Sequence, residues 1–198
     1  MATYRITDAT LEPLTIEQAK RHLREDLVDP DNDADIGSLI TAARLDAEFR
    51  LQRTLITSTW RHTLDAFPSL CTGYQDGAIR LPMGSTIAVT SVQYVDQAGT
   101  LQTLAADQYL IDASGDVARI TPAYGLSWPA TRDQPGAVQV TYTAGYGSTA
   151  ASVPAPIVSW IKLAVSDLYG QRSRSAERPM VPHHFADGLL DAYRIWSL

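Results

Sequence analysis

The spacing of hydrophobic positions changes period twice along this chain. From Leu14 to Leu27, Ile16, Ala19, Leu23 and Leu27 fall on one helical face, with Lys20, Arg21 and Arg24 around it. Thr15 followed by Gln18 has the form of a capping box, in which the hydroxyl takes an orphan amide and the glutamine reaches back. An acidic loop follows (Glu25, Asp26, Asp29, Asp31, Asp33, Asp35), and its carboxylates suit the positive end of a second helix beginning near Asp33 or Asp35. There Ile36, Leu39, Ile40, Ala43 and Ala47 form one stripe and Ala42, Leu45 and Phe49 another. A helix with two apolar faces packs on two sides, so one face is expected in its own fold and the other against a neighbouring copy.

From Ile56 the period becomes two. Ile56, Ser58, Trp60 and His62 alternate with Thr57, Thr59, Arg61 and Thr63 up to Leu64. Ala78–Leu81, Val89–Asp96, Gln108–Asp112, Val117–Thr121 and Ala137–Thr143 read as further strands. Asp76-Gly77, Asp96-Gln97-Ala98-Gly99, Ser114-Gly115-Asp116 and Gln134-Pro135-Gly136 supply turns between them. Gly145, Gly147, Ser148 and Ser152 lead out, and Pro154 and Pro156 suit the first turn of a third helix carrying Ile157, Trp160, Ile161, Ala164, Val165 and Leu168. A polar stretch from Gln171 to His184 reads as an exposed loop, and Phe185, Leu189, Tyr193 and Trp196 mark a short last helix.

None of these four helices can bury its stripe alone, so the last two must return to the first two. The expected fold is α+β: a helical core from residues 1–55 and 148–198, with an antiparallel β domain inserted at 56–147.

The chain has 198 residues, with ordinary apolar content and a formal net charge of -6. That balance excludes a protein whose task is wrapping nucleic acid, yet it suits a DNA passage that repels its cargo. A single cysteine, Cys71, excludes an intrachain disulfide. No secretory signal or membrane-spanning run stands out, so synthesis in a cytoplasm is expected.

Candidate chemistry is sparse. The run Asp29-Pro30-Asp31-Asn32-Asp33-Ala34-Asp35 has alternating oxygen ligands, but Ala34 replaces the sharp-turn glycine of a calcium loop and Ile40 its closing glutamate. His183 and His184 are adjacent and would point apart, which disfavours a shared zinc. No Gly-x-Ser-x-Gly elbow occurs, and Ala144-Gly145-Tyr146-Gly147 lacks the lysine of a phosphate loop. The chain is therefore expected to have no catalytic, cofactor or metal site. Arg172, Arg174 and Arg178 are candidates for gripping an acidic partner beside a terminal aromatic helix with Tyr193, Arg194 and Trp196.

Several stretches resemble the head–tail connector, or neck adaptor, proteins of tailed bacteriophages. They are LEPLTIEQAKRHLRED (Thr15, Glu17, Ala19, Lys20, Leu23, Arg24) and DADIGSLITAARLDAEFRLQRTLITSTW (Leu39, Ile40, Ala42, Ala43, Arg44, Glu48, Thr54 to Trp60). IRLPMGSTIAVTSVQYVDQAG, Trp128-Pro129, AVQVTYTAGYG followed by VPAPI, and Leu189 to Arg194 continue the likeness in order along most of the chain. Prophage-derived particles, including gene transfer agents, use similar proteins. The long RSRSAERPMVPHH segment departs from relatives that pass quickly to their end.

This resemblance implies a virion neck protein, assembled in the bacterial host cytoplasm. It implies a homo-oligomeric ring, dodecameric by analogy, docked under the portal protein. The ring would extend the DNA channel without sequence-specific contacts and carry the next neck, stopper or tail protein. Ala42, Leu45 and Phe49 would then make ring self-contacts, and the arginine and aromatic residues named above would meet the portal. Two rival readings stand: another neck ring (stopper or tail terminator), and a small hydrolase or carbohydrate-binding module with Trp60, Tyr94, Tyr109 and Trp128 lining a sugar cleft.

Overall fold

The computed structural model describes residues 1–28, 30–68, 77–170 and 184–196. The first helix, α1 (Ile16–Leu23), opens on the expected box: Gln18 N donates to Thr15 Oγ1 at 3.2 Å and Thr15 N to Gln18 Oε1 at 3.1 Å. It closes earlier than the hydrophobic period suggests. Arg24 turns left-handed (φ 62°) and the Glu25 amide returns to the Lys20 carbonyl at 3.0 Å, which leaves Leu27 outside the helix. α2 (Asp33–Leu51) carries Asp33 and Asp35 in its first turn, where carboxylates favour the helix dipole. α3 (Ala155–Gly170) and α4 (His184–Asp191) complete the described helices.

Two compact units result. The helical unit comprises Ala9–Ile56 and Tyr146–Ile195; the other holds Met1–Asp8, Thr57–Gly145 and Trp196. In the helical unit one apolar cluster joins Ala19 of α1, Ile36, Ile40, Ala43, Ala47 and Leu51 of α2, Ile157, Trp160, Ile161 and Val165 of α3, and Leu190 of α4. Gly147 sits where the chain re-enters this unit, bridged to Ile56, and a Cβ there would come within 2.7 Å of the Ser152 Cβ.

Charge is buried in the same unit. Arg44 is 1 % exposed; its Nε donates to Glu12 Oε2 at 2.8 Å and its Nη1 reaches Glu48 Oε2 at 3.4 Å. Glu48 Oε1 accepts the Leu55 amide at 2.9 Å, and Thr41 Oγ1 donates to Glu12 Oε1 at 2.8 Å. The network ties the segment before α1, the middle of α2 and the segment after α2 to one guanidinium. At the start of α2, Lys20 Nζ lies 2.5 Å from Asp33 Oδ1, a charge contact without hydrogen-bond alignment.

The β unit contains two antiparallel sheets. The larger has the order β1 (Ala2–Thr7), β2 (Ser58–Leu64), β8 (Val138–Ala144), β4 (Thr86–Val95), β5 (Leu101–Thr103). The smaller runs β3 (Ile79–Arg80), β7 (Arg119–Pro122), β6 (Tyr109–Asp112). β2 and β8 pair from Ser58 opposite Ala144 to Leu64 opposite Val138, which aligns Trp60, His62 and Leu64 with Tyr142, Val140 and Val138 on one buried face. Tyr142 Oη donates to the Pro82 carbonyl at 2.7 Å, and burial pushes that phenol well above its usual pKa. The β6–β7 turn is held by Asp112, whose side chain accepts from the Ser114 hydroxyl and amide and from Arg119, so its carboxyl titrates far below the usual range.

The architecture is thus α+β with antiparallel sheets. It departs from the sequence expectation at the start of the chain. Residues 1–8, expected with the helices, fall in the β unit, where Ala2–Thr7 form β1 at the edge of the larger sheet, and Trp196 falls there as well. β5 was likewise not foreseen.

Two outcomes follow from buried groups. Arg44→Met leaves the Glu48 carboxylate buried without its counter-charge and should destabilise the chain by about 3–5 kcal/mol in urea unfolding. His62 is buried and meets Thr3 Oγ1 at 2.7 Å; burial first, and the N-terminal amine second, hold its pKa below 6.5. The unfolded chain therefore takes up a proton that the folded chain resists. The stability tied to this group is full above about pH 6.5 and falls as pH drops below it. Between pH 7.5 and 5.5 the wild type should lose more stability than His62→Gln; equal losses would contradict this.

Candidate functional site

α2 presents two faces because its apolar residues occupy more than one helical stripe. Ile36, Ile40, Ala43, Ala47 and Leu51 are buried in the helical cluster. Ala42, Leu45 and Phe49, at positions i, i+3 and i+7, point the other way and are exposed, Leu45 by 44 % and Phe49 by 74 %. An exposed ion pair, Arg50 Nε to Asp46 Oδ2 at 3.0 Å, lies on the same exposed side of the helix. The face offers contact area and orientation, but no titratable group in a reactive setting.

The predicted partner-binding residues separate in character. Arg172, Arg174 and Arg178 lie outside the described residues, as do Cys71 and His183. Tyr193 is half-buried against the helical cluster; its carbonyl accepts from Arg53 Nε at 2.5 Å and its amide donates to the Leu190 carbonyl at 2.9 Å. It works as a core-closing residue. Arg194 is exposed, and Trp196 is exposed by 71 %.

The sugar-cleft expectation fails on where its rings go. Trp60 and Tyr109 are buried in the β core, and the Arg5 guanidinium lies 4.7 Å above the Trp60 ring. Trp128 stacks on Phe67 at 4.7 Å and 8°, with its Nε1 donating to the Gly77 carbonyl at 2.8 Å. Tyr94 meets the same Phe67 at 5.8 Å. Trp60 and Tyr109 are thus withdrawn from any cleft, and Trp128 and Tyr94 are half-buried against Phe67.

Among the described residues no group of three or more His, Cys, Asp or Glu is placed to hold a metal ion. None of the described helices is long and apolar enough to cross a membrane. Sequence reasoning missed the exposed apolar residues of the β unit: Tyr4 and Ile6 on β1, Leu110 on β6, and Tyr124 and Leu126 after β7. The Tyr124-Gly125 pair was the available signal for the last of these, since an aromatic beside a turn glycine seldom reaches a core.

No protein-family model matches the chain, and no curated protein matches it significantly. Solved structures do share its fold. A chain in the neck of an empty GTA particle, computed with C6 symmetry, aligns with TM-score 0.79 and 24 % identity over 100 % of this chain and 97 % of that one. Chains in the virion of a native gene transfer agent (GTA) particle and in a native GTA neck computed with C12 symmetry give TM-scores of 0.80 and 0.75, each at 23 % identity with the same coverage.

The contrast between Tyr193 and Trp196 is measurable. Tyr193→Ala should cost about 1–2 kcal/mol of stability, as a half-buried ring leaves the helical core, while Trp196→Ala should stay within about 0.5 kcal/mol. Urea unfolding of the two variants checks the ordering.

Proposed function

We propose that this chain is a structural, non-enzymatic head–tail connector of a virus-like particle. The observation that supports the reading is likeness of fold over the whole of this chain and nearly the whole of chains from a GTA neck. The C6 and C12 symmetries of those necks fit a homo-oligomeric ring, here read as dodecameric. The ring sits beneath the capsid portal, extends the DNA channel and carries the next neck or tail component. The helical connector core is Ala9–Ile56 with Tyr146–Ile195, and the β domain is Thr57–Gly145 with Met1–Asp8. The net charge of -6 suits a channel that DNA must leave without sticking.

Contacts are assigned by exposure and chemistry. Ala42, Leu45 and Phe49 form the self-contact, because a cyclic ring needs a heterologous patch and this one is apolar, aligned and uncovered. Arg172, Arg174, Arg178, Arg194 and Trp196 form the portal contact, where guanidinium groups and an exposed indole grip a partner surface. Tyr193 supports that contact from the core side. Exposed edges and loops of the β domain are left for the downstream neck protein.

Two experiments test the reading. Purified chain added to portal-bearing heads that lack a neck should add one ring of density in electron micrographs; heads that gain none would refute it. Leu45→Glu with Phe49→Glu should leave urea stability within about 1 kcal/mol, since both sites are exposed, yet abolish the added ring. A normal ring from this variant would remove the assigned self-contact.

A further inference from the structure

β1 is unlike the other strands of its sheet. It lies at a sheet edge. The residues that connect it to its neighbour β2 are those of α1, α2 and their loops, which belong to the other compact unit. No residue of β1 is fully buried. Its register is nevertheless defined, with Ala2 opposite Thr63, Thr3 opposite His62, Tyr4 opposite Arg61 and Arg5 opposite Trp60, before an irregularity at Ile6 brings Thr7 opposite Thr59. Three side-chain contacts key that register: Thr3 Oγ1 to His62 Nδ1 at 2.7 Å, Thr63 Oγ1 to the Ala2 carbonyl at 3.1 Å, and Arg5 over the Trp60 ring at 4.7 Å.

We infer that β1 is an exchangeable arm, which in the assembled ring docks on β2 of the adjacent copy. The inference rests on the ring reading above. A strand with no buried residue opens at low free-energy cost. The edge of β2 cannot remain bare, because His62 and Trp60 would lose the groups that cover and partner them. The one sequence shown to fit that edge is Ala2–Thr7 itself, so the occupant that satisfies every key is the same segment of a sister chain. Exchange restores each ladder bond and side-chain contact, which is why swapping of identical elements is an easy route to oligomers.

The hinge is equally defined. Glu12 is fixed to Arg44 at 2.8 Å and Asp8 is paired with Arg5 of the arm, so the connection that must re-route is Ala9–Leu11, with Ala9 leaving its place against the helical cluster. Within a ring the neighbouring edge is present at high effective concentration, which favours docking in trans without any new contact. Each subunit is then threaded to the next, and opening the ring requires drawing a strand from a sheet.

Disulfide trapping tests the exchange. Tyr4 and Arg61 are direct cross-strand partners, a spacing that a disulfide can bridge. In a Cys71→Ser background, Tyr4→Cys with Arg61→Cys should oxidise to an intrachain bridge in the monomer. On portal-bearing heads it should give a ladder of covalent oligomers in a non-reducing gel. A ring that forms but runs entirely as monomers overturns the exchange and leaves the connector reading intact; heads that gain no ring overturn both. As a second measurement, chains carrying Tyr4→Cys alone and Arg61→Cys alone are mixed before assembly. A disulfide between the two can arise only in trans, so its appearance in the ring supports the exchange and its absence from an assembled ring refutes it.

Discussion

The helical unit is organised around one buried guanidinium. Arg44 meets Glu12 from the segment before α1 and Glu48 one turn along α2, and Glu48 in turn takes the Leu55 amide just after the helix. Three stretches of chain are thereby fixed relative to one another by charge rather than by apolar packing alone. Such a set is costly to desolvate and contributes little net stability compared with a well-packed apolar replacement. What it does impose is geometry, because a buried carboxylate tolerates only arrangements that keep its partners in place. The turn into the β unit and the anchor at Glu12 both inherit their positions from this network.

How far the sequence disclosed this depends on the range of each signal. Local signals read well. The Thr15–Gln18 box formed as spaced, and the period-two runs at Ile56–Leu64 and Ala137–Thr143 became β2 and β8. The two stripes of α2 also separated as their spacing implied, one buried and one exposed. β1 and β5 escaped because neither has an inward face to betray it: no residue of either is buried, and β1 pairs with a strand more than fifty positions away. α1 was read too long because Leu27 keeps the helical period, while the left-handed turn at Arg24 depends on backbone closure that the period does not encode.

The candidate site was legible to a similar degree and for the same reason. Exposure of Ala42, Leu45 and Phe49 follows from angular position on a helix, which sequence gives directly. The fate of Tyr193 does not, since its ring closes a core assembled from α1 through α4, and its carbonyl is held by Arg53 from 140 positions away. Arg44 and Glu48 carried part of the family resemblance as letters, but their chemistry became visible only when Glu12 was placed beside them. The four aromatics assigned to a sugar cleft were misjudged for lack of the same kind of information: Phe67 and the Gly77 carbonyl claim Trp128, and the sheet interior claims Trp60 and Tyr109.

α2 buries the apolar stripe a helix ordinarily buries and departs from the ordinary partition in two further respects. Arginine and glutamate lie inside at 1 % and 2 % exposure, while phenylalanine and leucine of the same helix face outward. For a free monomer this ordering is costly on both counts, because charges leave water and about 1.5–3 kcal/mol of burial is forgone for each large apolar side chain. It becomes favourable once the outer face is covered, since the interior network then holds the helix rigid while the exterior stripe supplies the driving force for contact. Rigid presentation lowers the ordering cost of association, so the apolar area is converted to affinity more fully. A chain whose work is done at its surfaces would place its two kinds of residue this way: ionic chemistry within to set shape, and apolar area without to meet its neighbours.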